Sequence, residues 1–186
     1  MDSRLAGLVP DPILLATILL VTCSATAAID VIWIHLIALR LYRHPATIYE
    51  HKLHAAHAGM AAFSVALLFG FNLGGIGLWF AVAAIATWLG VEIMDLLCEK
   101  ESRTKLGGLP NYEYTLHLMI SGQRFAFVAL MLAAKPLPAW RLDAQVFLSP
   151  PHPLWVRAIG CLIAAGGAGI VALHLWLLRP RFRDAT

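Results

Sequence analysis

The sequence YEHKLH at residues 49–54 returns in altered form as YEYTLH at residues 112–117. A glycine follows each copy at the same distance, Gly59 and Gly122, so the shared pattern is Y-E-x-x-L-H-x-x-x-x-G. A repeat inside one chain indicates that a structural unit is present twice. We therefore expect two related units, each of which presents a glutamate and a histidine.

Each copy of the motif follows an apolar stretch that contains an acidic residue. Asp30 precedes Glu50 by 20 residues, and Glu92 precedes Glu113 by 21 residues. The repeated unit is therefore a pair of helices. The first helix of each pair supplies one carboxylate, and the second supplies the Glu and the His.

The composition is typical of a membrane protein. The 186 residues are 60% apolar and 13% charged, with a mean hydropathy of +0.74, whereas a soluble domain is nearer to half apolar and a quarter charged. The net charge of +3 is small and spread along the chain, so nucleic acid is not expected as a partner. The three cysteines lie singly in apolar segments and predict no disulfide framework.

The apolar segments predict an all-α, polytopic membrane protein, because each is long enough for the ~20 helical residues that cross a bilayer core. We expect one membrane domain over residues 1–186, built as an up-down-up-down four-helix bundle with a fifth transmembrane helix. Its predicted parts are the first repeat at 12–72, the second at 76–137, an outer loop at 139–156 and the fifth helix at 157–179.

The distribution of lysine and arginine predicts the orientation in the membrane, because cytoplasmic loops are enriched in both. Nine lie at one side and four at the other. The nine are Arg40, Arg43, Lys52, Lys100, Arg103, Lys105, Arg179, Arg181 and Arg183, and the four are Arg4, Lys135, Arg141 and Arg157. We expect the C-terminus in the cytoplasm and the N-terminus outside, in a bacterial inner membrane.

Helical spacing predicts that the acids and histidines converge. Residues three, four and seven positions apart share one face of a helix, and an alternating bundle brings the motif helices and the two mid-span acids to one depth. Ionisable groups inside a span cost several kcal/mol unless they are paired or ligated, and carboxylates packed together cannot all remain ionised. The predicted metal ligands are Asp30, Glu50, His54, His57, Glu92, Asp95, Glu113 and His117.

These ligands suit two divalent ions, iron first and manganese or zinc as alternatives. Haem b is a weaker alternative, because haem ligation needs histidines but not the carboxylates. Four further groups are expected to be interfacial rather than ligating: His35, His44, His51 and Glu99. His35 lies five residues after Asp30, which puts it off the face of Asp30 in an α-helix.

Three residues are candidates for catalytic roles. Arg124 lies two turns beyond His117 on the same face and needs an anion, either a substrate carboxylate or phosphate or an acid of the bundle. Tyr49 and Tyr112 are candidate hydrogen-bond donors to the ligands, or else interfacial aromatics.

The predicted ligands, an acid on the first and third helices and a Glu with a His on the second and fourth, resemble those of the ferritin-like di-metal carboxylate proteins. In that family two metals lie inside a four-helix bundle. The resemblance implies that Asp30 and Glu92 are the single-carboxylate ligands. It implies that Glu50 and Glu113 bridge the metals and that His54 and His117 are terminal ligands. In that family the Glu and His are three residues apart and a long crossover joins the halves. Here they are four apart and a short turn at 72–75 joins the helices, which favours a convergent, membrane-embedded site.

The expected function is a membrane-embedded di-metal oxidoreductase that activates O2 on an apolar or amphiphilic substrate arriving from the bilayer. An electron-donor protein is an expected partner, and small residues on the fifth helix predict a homo-oligomer. The alternatives are a metal-ion or proton transporter and a haem-binding or structural subunit of a membrane complex. Metal content and the optical spectrum discriminate among them.

Overall fold

The computed structural model of the chain describes residues 11–104 and 107–182. It contains five long helices: α1 Pro12–Ala28, α2 Ile48–Gly70, α3 Gly75–Ser102, α4 Asn111–Ala133 and α5 Leu154–Leu177. Within the described ranges no strand forms, and Leu73 and Phe147 make one isolated bridge. The all-helical prediction is confirmed. Arg4, Lys105 and Arg183, which entered the orientation prediction, lie outside the described residues.

All five helices are long and apolar enough to cross a membrane, α1 together with the segment that follows it. Their outward surfaces carry large apolar side chains, among them Leu97, which is 74% exposed. These features fit a multi-pass membrane protein.

The first helix changes type along its length. Asp11 caps it by accepting a hydrogen bond from the Ile13 amide at 2.8 Å, and Pro12 occupies the first turn. After Ala28 the chain continues as a π-helix, Ile29–Ala38, and the Leu39 amide donates to the carbonyl five residues earlier. Arg40, at φ +50°, ends it. The π-helix is one of the elements that position the site.

Helix α5 packs against α2 and α1 rather than outside a four-helix bundle. The pairs that pack most closely are α2 with α5, α1 with α4 and α2 with α3, and α5 also contacts α1. Gly167 lies against Ala62 and Gly160 against Phe69, because small residues let two helices approach closely. The predicted bundle of the first four helices is therefore not confirmed. The oligomer expected through α5 stays a prediction.

The loop between α4 and α5 covers the turn between α2 and α3. The Leu148 amide donates to the Asn72 carbonyl at 2.7 Å, and Lys135 Nζ donates to Asn72 Oδ1 at 2.7 Å. Burial lowers the pKa of Lys135 to about 8. Gly75 is at φ +52°, and a Cβ added to it would overlap the Ala144 carbonyl oxygen, so only glycine fits at this position.

The interior has two different halves. The half nearest this loop is filled by apolar side chains that include Phe69, Leu78, Phe127 and Met131, all almost fully buried. The other half, nearest the α1–α2 and α3–α4 connections, contains buried acids and histidines.

Candidate metal centre

The π-helix after α1 brings Asp30 and His35 onto the same side of the chain. In a regular α-helix, residues five positions apart point about 140° away from each other. The i→i+5 bonding of a π-helix removes most of that offset, and His35 Nε2 lies 3.5 Å from Asp30 Oδ1. His35 is 1% exposed. The prediction that His35 is interfacial and points away from Asp30 is therefore wrong, because it assumed α-helical geometry.

Helix α4 completes a group of four buried or half-buried ligands. His35 Nε2 lies 2.8 Å from Glu113 Oε1, and His117 Nε2 lies 3.1 Å from Asp30 Oδ2. One nitrogen or oxygen from each of Asp30, His35, Glu113 and His117 lies within 4.8 Å of those of the other three. The group forms because α1 packs against α4. Three of its four members were predicted as ligands.

A second pair of ligand-type side chains adjoins this group. His54 Nε2 lies 3.0 Å from Asp95 Oδ2, and the His54 ring stacks on the His35 ring at 4.4 Å between centroids. Glu99 Oε1 lies 3.4 Å from His117 Nδ1 on its other side. Glu99 is buried, so the prediction that it is interfacial is wrong. Helix α3 extends beyond it to Ser102, which carries Glu99 into the interior.

Arg103 joins the two repeated glutamates. Its Nη2 lies 2.6 Å from Glu50 Oε1 and 2.8 Å from Glu113 Oε1, and its Nε also donates to Glu50. Ser102 donates a short hydrogen bond to Glu50 Oε2. Burial by itself lowers the pKa of Arg103, but the bonds and charges of the two glutamates outweigh it and raise the pKa.

This arrangement places Glu50 outside the four-ligand group. Both of its oxygens are engaged by Ser102 and Arg103, so the geometry does not support the prediction that Glu50 is a ligand. A guanidinium stands between the two glutamates where the resemblance implied metal ions. The planar fork of donors contacts both carboxylates, and its single positive charge balances one of the two negative charges.

A third polar group surrounds Arg124. Arg124 forms an ion pair with Glu92, and its Nη1 donates to His57 Nε2 at 3.1 Å. Ser121 Oγ donates to Glu92 Oε1 at 2.6 Å, and the guanidinium lies 5.0 Å from the centre of the Trp88 ring. The ion pair favours the bundle-acid explanation of Arg124 over the anion clamp. Glu92 and His57, predicted as ligands, are engaged by Arg124 instead.

Tyr49 and Tyr112 lie on the surface. They are 54% and 56% exposed, because each precedes its inward-facing glutamate by one residue, which is a rotation of about 100° around the helix. The prediction that they donate hydrogen bonds to the ligands is not supported. His51, expected at the interface, is instead buried against His174 of α5, with 3.2 Å between ring nitrogens.

Several buried acceptors near the four ligands have no hydrogen-bond partner. Asp95 Oδ1 is one example; Asp30 Oδ1 and Glu99 Oε1 also make no hydrogen bond, although histidine nitrogens lie 3.5 Å and 3.4 Å from them. Buried polar atoms in folded proteins are nearly always paired, and a carboxylate oxygen without a donor has a lone pair available for a cation. The donor set and these unpaired atoms both fit a bound metal ion.

A cavity of about 820 Å³ adjoins the group and is lined by residues of all five helices. The side chains of Asp30, His35, His54 and His117 line one part of it. Most of the remaining wall is apolar, including Leu20, Val65 and Phe127.

Comparisons of the chain with protein-family models, with curated proteins and with solved structures give no match. The resemblance to the ferritin-like proteins therefore stays a prediction from the ligand inventory.

Proposed function

We propose that the protein spans a membrane and holds a divalent metal ion at Asp30, His35, Glu113 and His117, where it acts as an oxidoreductase. The observation that supports this most directly is the convergence of four ligand atoms within 4.8 Å, from segments about 80 residues apart in sequence. Burying such groups is costly unless a cation or a partner neutralises them.

The donor set favours particular metals. Two carboxylates and two imidazoles suit iron, manganese or zinc. His54, Asp95 and Glu99 adjoin the first group and supply donors for a second ion. With iron or manganese bound, the centre would supply electron transfer and O2 chemistry.

The protein's own residues then have distinct roles. Arg103 holds Glu113 through two hydrogen bonds and so fixes the direction of its carboxylate. Glu99 lies beside His117 Nδ1 and orients that ring, as partners of metal-bound histidines commonly do. Arg103 and Glu99 are thus positioning residues.

Three structural features favour an enzyme over the alternatives. Phe69, Phe127 and Met131 fill the half of the interior beyond the centre, whereas a transporter needs a polar path through it. The motif-helix histidines that a haem would need are paired with other side chains: His54 with Asp95, His57 with Arg124 and His117 with Asp30. The cavity beside the centre has room for a substrate. In this proposal the N-terminus is outside, the C-terminus is cytoplasmic and a separate protein donates electrons.

Elemental analysis of the purified full chain tests the proposal. We expect at least one iron or manganese per chain, and we expect its loss in the Asp30→Asn and Glu113→Gln variants. The exposed Asp143→Asn variant is the matched control and should retain the metal. A chain without metal, or variants that keep it, would overturn the metal centre. If the protein contains only zinc, the proposed metal centre stands, but the proposed oxidoreductase activity is contradicted because zinc is not redox-active.

A further inference from the structure

Helices α3 and α4 both line the cavity beside the candidate centre, and a gap lies between them. The backbones of these two helices do not pack closely along their length. They are bridged by side chains, Ser121 to Glu92 and His117 to Glu99. Exposed apolar residues of both helices line the cavity, among them Leu96 on α3 and Leu118 on α4.

The gap between α3 and α4 lies on a surface that suits lipid rather than water. Leu96 and Leu118 are flanked on the outside by other exposed apolar side chains, Leu97 and Met119. A molecule dissolved in water would have to leave the water and cross this apolar surface to reach the cavity. A molecule with a hydrocarbon chain that is already in the bilayer could reach the cavity without leaving an apolar environment.

The charges of the wall restrict the head of such a molecule. The described lining contains one arginine, Arg124, which is neutralised by Glu92. Three other acids line it, Asp30, Asp95 and Glu99, and histidines of the same wall lie beside them. In the proposed centre the two carboxylates Asp30 and Glu113 balance one divalent ion, so neither an anionic nor a cationic head would meet an unpaired opposite charge. A buried charge without a partner is costly in either case.

We infer that the cavity binds an uncharged, long-chain membrane lipid whose head carries a hydroxyl or carbonyl oxygen, and that this lipid enters between α3 and α4. Its head lies beside the centre and its chain against Leu20, Val65 and Phe127. A volume of about 820 Å³ accommodates a head and part of a chain, as in pockets for small ligands generally. The inference rests on the proposed function and specifies the substrate of that same site.

The test uses three photoactivatable probes of one chain length in phosphatidylcholine nanodiscs that contain the full protein. The probes are a long-chain alcohol, the carboxylate and the amine, each with a diazirine in the chain. We expect the alcohol to label cavity residues of α3 and α4, as mapped by mass spectrometry, about tenfold or more above either charged probe, a ratio equivalent to 1.4 kcal/mol. Equal labelling by all three probes, or preference for a charged one, would overturn the inference.

A cavity-filling variant supplies the second arm. Gly166 lines the cavity, and a Cβ there meets no atom within 4 Å, so Gly166→Phe fills the space without a backbone clash. A Cβ at Gly169 also meets no atom within 4 Å, but Gly169 does not line the cavity, so Gly169→Phe is the matched control. We expect labelling to fall about tenfold in Gly166→Phe and to remain in the control. Unchanged labelling in Gly166→Phe would contradict the inference.

Metal content measured on the same samples separates the two proposals. If the lipid does not bind but the metal is present, the inference fails and the proposed function stands. If the alcohol labels the cavity in protein without metal, the metal centre fails and lipid binding stands.

Discussion

The two copies of the Y-E-x-x-L-H motif have the same sequence pattern but different partners. In the first copy, Glu50 is held by Arg103 and Ser102, and His54 pairs with Asp95. In the second copy, Glu113 and His117 join Asp30 and His35 in one group of side chains that could hold a metal ion. The motif therefore places a glutamate and a histidine on one helical face, but the neighbouring helix determines what they bind.

The difference arises from which helix packs against each copy. Helix α4 faces α1, whose π-helical extension presents an acid and a histidine together. Helix α2 faces α3 and α5 instead, and α5 brings His174 against His51 rather than a carboxylate. Arg103 is the group that both copies share.

The largest expected effect comes from removing the shared cation. Arg103→Met leaves Glu50 and Glu113 buried without their partner, and breaking a buried ion pair from one side typically costs about 3–5 kcal/mol. We expect loss of most folded protein, measured by size-exclusion chromatography and thermal unfolding in detergent. Arg141→Met, at an exposed pair with Asp143, should leave the melting temperature unchanged. An Arg103→Met protein as stable as the parent would show that the guanidinium does not join the two copies.

The comparison between the copies is sharpest at their histidines. His117→Gln removes a predicted ligand of the first ion, and we expect metal affinity to fall by more than the 10- to 100-fold that loss of an outer partner typically costs. His54→Gln should lower it by no more than about that range, because His54 lies outside the four-ligand group. Metal titration of both variants measures the two losses of affinity, and their ratio gives the difference between the copies. Equal losses would mean that the two copies contribute alike.

A smaller effect is expected from the π-helix. His35→Ala removes the buried hydrogen bond to Glu113, and bonds to charged groups contribute about 1.5–3 kcal/mol. The unfolding temperature and the metal content should both fall. Trp33→Ala, an exposed position of the same segment, is the control and should keep its metal. If the two variants behave alike, the π-helix is not what distinguishes the second copy.

The smallest effect is expected at the motif tyrosines. Tyr49→Phe and Tyr112→Phe remove exposed hydroxyls, and such surface changes usually alter stability by no more than about 0.5 kcal/mol. Metal content and unfolding temperature should match the parent protein. A loss of metal in either variant would restore the predicted role of these side chains at the ligands.

Much of the centre was accessible to prediction. The repeat identified Glu113 and His117, and the mid-span acid identified Asp30. Arg103 was counted as a loop cation, although it follows directly after α3, beside two helices that each begin with an unpaired glutamate. The position of this arginine next to two helices with a glutamate in the first turn was the available signal. His35 had no such signal, because a π-helix leaves no periodic mark in a single sequence.

The amino-acid sequence by itself determined five apolar helices, their order and the side of each motif helix that carries polar groups. These properties follow from local hydropathy and from the 3.6-residue period of a helix. Only the tertiary structure decided that α5 packs against α2, that Arg103 joins the two glutamates and that His35, rather than Glu50, belongs to the group of four candidate ligands. Helix packing depends on contacts between residues far apart in sequence, and no local pattern specifies which of several apolar faces will meet.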